Sequence, residues 1–409
     1  MQKLKRFEDL LLFLTILLLP TQLGRHFWPA FSYIYSLPVD FLSPTIYFWD
    51  LLVICLITTF FFQKKNFNLA TVNLFLIFIL TQAVSLLPIF SRQINYGAGL
   101  VRLEQYLIAG LFGVYIVSSK FNPSASLRAS VQSSKLYIPL ALAVIFESVL
   151  AILQFIKGGS LGLWILGERT FNISTPAIAK FDYLGNVFLR PYGTLPHPNV
   201  LAAFLLISMI LVSGGRAEVS KRLYKIIMVL GTAAILLTVS RVSILLLAGF
   251  LVLKFGKKYL KQLMILFIIL APVLYARFSS VINYDNLSLV RREELISNAF
   301  NYFLSSPILG IGLSNFIPYI SSELIAGPSK FLQPVHNIFL LALAETGVVG
   351  LIGWMLLIGY SLIKFKVQNS KFKVIWFSIL ILGLFDHYFL TLPQGYRLLF
   401  LIWGLSFKI

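Results

Sequence analysis

The sequence predicts an all-α fold, a polytopic transmembrane bundle with two long outer loops, and three observations carry that reading. The 409 residues are 58% hydrophobic and only 12% charged, with a mean hydropathy of +0.86, too apolar for a soluble domain. Apolar runs recur at lengths that fit the hydrocarbon thickness of a bilayer. Basic residues collect in alternate connections between those runs.

Hydropathy places about twelve spans, roughly at 8–22, 44–62, 69–90, 98–117, 136–156, 197–213, 223–239, 242–256, 260–277, 336–361, 373–390 and 396–408. The first follows a basic stretch, Lys3-Leu4-Lys5-Arg6, with no small-residue cleavage site after it, so it is expected to stay as a span. Residues 223–256 as one helix would be roughly 50 Å long against a ~30 Å core, so a break is expected at Ser240-Arg241. The single Cys55 excludes an internal disulfide and a paired thiolate metal site.

With the N-terminus cytoplasmic, the inner connections hold 21 of the 34 lysines and arginines, opposed only by Glu8, Asp9 and Glu218. The formal charge of +19 is thereby a topology signal, and the basic clusters are too dispersed for a nucleic-acid surface. The same parity makes 157–196 the first outer loop and 278–335 the second. All four histidines, His26, His197, His336 and His387, fall at or near the outer face. No tandem repeat divides the chain, which reads as one membrane domain over 1–409.

Candidate site residues lie in and beside these loops. The first loop ends RPYGTLPHPN, with Arg190, His197 and Asn199 before an apolar helix; His197 and Asn199 read equally as interfacial caps. In the second, Leu295, Ile296, Ala299, Phe300, Phe303 and Leu304 recur at helical spacing, with Arg291, Arg292, Glu293, Glu294, Asn298 and Asn301 on the other face. This predicts an amphipathic helix stopped by Pro307, whose arginines either bind a ligand or pair with Glu293 and Glu294. Arg241 sits at a hairpin tip, where snorkelling to the interface competes with ligand binding. Asn337 is the expected cap of the helix after His336. Glu345 is too deep, roughly 13 Å below His336 by helical rise, to orient that ring. No paired aspartates stand in the outer loops, and the histidines are not at metal-ligand spacing, so no metal site is expected.

His336-Asn337, followed by nine residues and then Gly347, Gly350 and Gly353, resembles the signature of the O-antigen ligase and polymerase family, integral membrane glycosyltransferases. Residues 197–361 most resemble its core, and Arg291 with Leu295, like Arg241 with Leu245, repeats its Arg-x3-Leu spacing. The resemblance implies a glycosyltransferase class C-like fold in the bacterial cytoplasmic membrane, with both termini cytoplasmic and the active site on the outer face. It implies transfer of a glycan from a polyprenyl diphosphate carrier to the hydroxyl of a glycolipid, glycan or protein acceptor, inverting and without cofactor or metal. His336 would act as general base, while Arg291, Arg190 and Arg241 would hold the diphosphate, supported by Arg292, His197, Asn199 and Asn337. An arginine suits that task because its planar fork pairs with phosphate oxygens and never loses its charge. The three glycines are read as letting a second helix approach. Ligase, repeat-unit polymerase and protein-glycosylating enzyme share the pattern. The rival of another class is a transporter or flippase of lipid-linked glycan, which would place ionisable groups near the midplane and repeat its halves.

Overall fold

A computed structural model describes residues 2–87, 94–119, 126–214, 219–279, 287–323, 332–364 and 370–407. Lys120, Arg216, Glu218, Lys366 and Lys408 of the charge pattern lie outside the described residues, as do 280–286 and 324–331 of the second outer loop.

The chain is 71% helical. Its helices are α1 (Gln2–Leu17), α2 (Phe48–Phe62), α3 (Leu69–Ala83), α4 (Tyr96–Ser118), α5 (Ser126–Lys157), α6 (Pro198–Gly214) and α7 (Lys221–Leu237). There follow α8 (Arg241–Ser279), α9 (Leu287–Ser305), α10 (Phe316–Ile320), α11 (Ile338–Lys364), α12 (Ser370–Phe385), α13 (Tyr388–Thr391) and α14 (Pro393–Ser406). Several starts are set locally: Asn68, Asn95 and Ser220 each accept from a backbone N–H three residues on. Asn337 accepts likewise from Phe339 and Leu340 at 2.9 and 3.0 Å, the cap expected of it.

Among the described residues four helical stretches are long and apolar enough to cross a membrane, Leu69–Leu86, Tyr96–Ser118, Lys135–Lys157 and Ile338–Ile363, with Phe48–Phe62 and Pro198–Gly214 as shorter apolar helices. The architecture is therefore that of a helical membrane protein. The break at Ser240 is present, with Val239 at φ 51°. The spans expected at 242–256 and 260–277 are instead one 39-residue helix, α8. Between Lys254 and Lys261 only Gly256 disfavours helix, and one glycine costs only about 1 kcal/mol. The second expected span starts at Phe48 rather than 44, because Thr45–Tyr47 forms β4. β4 pairs with β1 (Gly24–His26), while β2 (Tyr33–Ile34) pairs with β3 (Leu37–Pro38). The first outer loop carries a second such hairpin, β5 (Lys180–Tyr183) with β6 (Asn186–Leu189).

The packing centre is α14, every residue of which is buried. It lies on α4 at a glycine crossing, where a Cβ on Gly404 would meet the Gly113 carbonyl at 2.6 Å. Arg397 of α14, fully buried, is paired with Asp50 at 3.3 Å and stacks over Tyr47 and Trp49. Around the outside Phe61, Phe62, Leu69, Ile156 and Ile363 are exposed, as an apolar solvent permits.

Several of the lysines assigned to the inner connections share one end of the bundle. At that end Lys65 pairs with Glu8 and Lys135 with Asp9, both at 2.6 Å. Lys371 donates to Tyr137 Oη there, and Lys254 to the Ser213 carbonyl at the last turn of α6. The segments expected on the outer face meet at the opposite end of α6, around one cavity.

Candidate functional site

The cavity measures about 930 Å³ and is lined by all four histidines of the chain together with Asp40, Arg102, Glu168, Arg169, Arg190, Asn199, Arg292 and Asp386. Residues far apart in sequence reach it because several connections end there. Arg190 follows β6, His197 and Asn199 open α6, and Arg292 lies on α9. His336 precedes α11, while Asp386 and His387 occupy the break between α12 and α13.

A hydrogen-bonded chain runs along one wall. Arg190 donates through Nε to the Thr238 carbonyl at 2.6 Å and through Nη2 to Asn199 Oδ1 at 2.7 Å. Asn199 in turn donates through Nδ2 to Asp386 Oδ2 at 2.9 Å. The turn before Arg241 thus contributes its backbone to the site, through Thr238. Arg241 and Arg291 themselves are not among the lining residues, and Arg292 is. Of the three arginines expected on the diphosphate, the fold brings Arg190 to the cavity wall and leaves Arg291 and Arg241 off it, with Arg292, named as a supporting residue, on it.

The three histidines around Asp386 differ in what their rings already do. His197 Nδ1 accepts from the Asn199 backbone N–H at 3.1 Å, a cap at the start of α6. His387 Nδ1 bonds Thr391 Oγ1 at 2.6 Å, and Arg102 donates to the Thr391 carbonyl at 2.7 Å, fixing that turn. His336 Nδ1 is buried with no hydrogen-bond partner among the described residues. A buried imidazole nitrogen without a protein partner in a cavity wall is a candidate for a catalytic role.

Burial lowers the pKa of all three. His197 is lowered further by Arg190, His336 by Arg292, and Asp386 opposes the shift in each case. Burial pushes Asp386 up, yet His387, His336, His197 and the Asn199 bond outweigh it and hold the carboxyl below its usual range.

Sequence spacing separates the histidines as metal ligands, but the fold does not. One ligand atom each from His336, Asp386 and His387 lie within 4.8 Å of one another. Arg190 and Arg292 border the same cavity, and the positive charge that depresses the histidines equally opposes a dication.

Of the three glycines behind His336, Gly347 has a different role from the one expected. Gly347 (φ 61°, ψ −165°) interrupts α11, and residues 307–312 pair with the interruption as backbone. Val348 N–H donates to the Pro307 carbonyl and Val349 N–H to Ile308, while Ile311 N–H donates to Ala344 and Gly312 N–H to Glu345. A Cβ on Gly347 would overlap the Ile308 carbonyl. The approach is by a loop, and it ties the end of α9, and so Arg292, to the helix of His336. Gly350 and Gly353 do lie against a second helix, α3: the Gly350 carbonyl accepts from Gln82 Nε2 at 3.0 Å, and a Cβ on Gly353 would overlap Thr81. Glu345 accepts from Phe316 N–H at 3.1 Å, holding the start of α10.

α9 ends at Ser305, before Pro307, as expected. Its apolar residues divide, Leu295 and Ala299 facing the bundle while Ile296, Phe300 and Leu304 are exposed.

Sequence reasoning missed Asp386, Arg102 and Arg169. The first two carried a signal, since an ionisable residue inside an apolar run marks function by default, and Asp386-His387 interrupts FSILILGLF…YFLTL. Arg169 stands in a polar loop without any comparable mark.

No curated protein matches the chain. The O-antigen ligase family model matches residues 226–355, a stretch narrower than the expected 197–361. It contains Arg241, Arg291, Arg292, the Gly347 interruption and His336, and leaves Arg190, Asn199 and Asp386 outside. The part of the chain that brings His336 and Arg292 to the cavity is thus similar to the O-antigen ligase family, which supports a membrane enzyme of glycan assembly.

Proposed function

We propose that this protein transfers a glycan from a polyprenyl diphosphate carrier to an acceptor hydroxyl, with inversion and without a metal ion. The observation that carries the proposal is the ring of His336. Of three imidazoles around Asp386 it alone has an unengaged Nδ1, and it borders a cavity shared with Arg190 and Arg292.

The acceptor oxygen attacks the anomeric carbon from the face opposite the diphosphate. As that bond forms, the bond from carbon to the diphosphate oxygen breaks and its electron pair leaves on phosphate. The hydroxyl proton passes to His336. Asp386 favours the imidazolium so formed, and Arg292 and Arg190 stabilise the charge gathering on the diphosphate. His197 and Asn199 act through Arg190 and Asp386, Asn337 holds the start of α11, and Arg291 and Arg241 flank the site in the family's Arg-x3-Leu register.

The acceptor is a glycolipid, glycan or protein, and the reaction belongs to the outer face of a bacterial cytoplasmic membrane, with both termini on the cytoplasmic side. The lysine and arginine bias supports that orientation. Cysteine labelling after Arg169 and Ser321 should report the outer side; a cytoplasmic result at either would remove the carrier's glycan from reach. A transporter is disfavoured because no halves repeat along the chain.

The reaction is tested with purified protein, a lipid diphosphate glycan and the acceptor. His336→Ala should lower transfer by roughly 10²–10⁴-fold while carrier binding stays intact. Transfer near the wild-type rate would reduce His336 to a structural residue.

A further inference from the structure

Three of the side chains that meet at the cavity are also a ligand set for a transition-metal ion. One ligand atom each from His336, Asp386 and His387 lie within 4.8 Å of one another, the one such grouping among the described residues. Three atoms that close have a centre at most about 2.8 Å from each, against about 2.0–2.2 Å for zinc bonds to imidazole and carboxylate. Side-chain rotations that move each ligand atom by less than about 1 Å close that gap.

The three residues are held by contacts that leave ligand atoms available. Asn337, which caps α11 behind His336, donates through Nδ2 to the Leu384 carbonyl at 3.3 Å and so joins the segment of His336 to that of Asp386. Asp386 accepts from Asn199 Nδ2 through Oδ2 and from the His387 backbone N–H through Oδ1, both at 2.9 Å. His387 Nδ1 is taken by Thr391 Oγ1 at 2.6 Å, which orients the ring and leaves its other nitrogen for a ligand. Thr391 is fixed in turn by Arg102, which donates to its carbonyl at 2.7 Å. Outer partners of this kind set the orientation and tautomer of metal-binding histidines and carboxylates. His336 Nδ1, buried and without a hydrogen-bond partner among the described residues, is the nitrogen that the packing leaves unused. All three residues line the cavity, so an ion has a way in, and three protein ligands leave it a further coordination position.

The ligand types select the ion. Imidazole nitrogen suits zinc and its neighbouring transition ions, whereas magnesium and calcium take oxygen ligands. Arg190 and Arg292 border the same cavity and oppose every dication alike, so the ion that enters is one that gains strongly from nitrogen ligands.

We propose that His336, Asp386 and His387 form a zinc-class transition-metal site whose occupation switches the reacting centre off. Binding of the ion stands on this geometry alone. Inhibition rests on the role given to His336 in the function proposed above: a neutral imidazole has one basic lone pair, and coordination occupies it.

The test uses the full-length protein in detergent, free of any polyhistidine tag and stripped with EDTA, with Zn²⁺ as probe. Isothermal titration should give one Zn²⁺ per chain, and Mg²⁺ should give no binding at the same concentrations. His336→Ala, Asp386→Asn and His387→Ala should each weaken Zn²⁺ binding by about tenfold or more, while His26→Ala, at a histidine of the same cavity outside the cluster, should keep it. His336→Ala is the variant that decides, since the Nδ1 it removes supports no hydrogen bond among the described residues. In transfer assays Zn²⁺ should inhibit over the concentration range in which it binds, and EDTA should restore the rate. No Zn²⁺ binding in the wild type, or equal binding in the wild type and His336→Ala, overturns the proposal. Zn²⁺ bound at one per chain and lost in the three variants, with transfer undiminished, would uphold the site and overturn instead the role of His336 as base.

Discussion

The imidazoles of His336 and His387 meet edge to face, with ring centroids 5.1 Å apart and planes at 73°. Two bases so close cannot both be charged, and Asp386 beside them supports one proton. His387 Nδ1 is already bonded to Thr391 Oγ1, whereas His336 Nδ1 has no partner among the described residues, which favours His336 as the base of the proposed reaction.

The pH dependence follows from that arrangement. Burial and Arg292 lower the His336 pKa while Asp386 raises it, and the net shift is downward from 6.5. A base must be neutral to act, so kcat/KM should be flat at neutral pH and fall only below pH 6.5. Asp386→Asn removes the raising influence, moving the acid limb lower and dropping the plateau by roughly 10²-fold. Arg292→Gln removes a lowering influence and moves the limb up. Coincident limbs in pH–rate profiles of all three proteins would show that another group titrates.

The arginines should separate by their place in the fold. Arg292→Lys keeps the charge and loses the fork, so donor KM should rise and kcat fall, by roughly tenfold or more together. Arg190→Ala also frees Asn199 and should lose more. Arg291→Lys and Arg241→Ala, at positions off the cavity wall, should cost less than Arg292→Lys. The reverse order in steady-state kinetics would return the diphosphate to the Arg-x3-Leu register.

Metal removal should leave transfer unchanged. EDTA-treated protein is expected to retain its rate, and added Mg²⁺ or Mn²⁺ to leave it there. Zn²⁺, which suits imidazole, should inhibit if it binds at His336, Asp386 and His387, since it occupies the base. Loss of activity on chelation, restored by a divalent ion, would make that cluster a cofactor site.

Gly347→Ala tests the joint between Arg292 and His336. The φ of 61° costs a non-glycine residue about 1–3 kcal/mol, and the added methyl overlaps the Ile308 carbonyl. Thermal unfolding in detergent should show a clear drop in midpoint together with lost transfer. Gly359→Ala, in the same helix with nothing within 4 Å of its Cβ, should be neutral or stabilising by up to about 1 kcal/mol. Equal midpoints for the two variants would show that the interruption at Gly347 is not a fixed part of the fold.

Much of the architecture is local and so was readable. The cap at Asn337, the break at Ser240 and the stop before Pro307 are decided by residues within a turn of each other. The turn at 257–259 was misread because the lysines there argue for a loop by their charge, whereas their backbone preference is helical.

The sequence by itself determined that this is a helical membrane protein, which segments share an end of it, and that His336 opens a helix there, because apolar length, charge bias and capping act along the chain. Only the tertiary structure decided that Asp386 stands among three histidines and that Arg292 rather than Arg291 faces the cavity. Neighbours on a helix point about 100° apart, so the choice between them depends on how α9 is fixed to α11 through the loop at Gly347. The pairing of Arg190 with Asp386 through Asn199 likewise joins three segments whose separations in sequence carry no distance information.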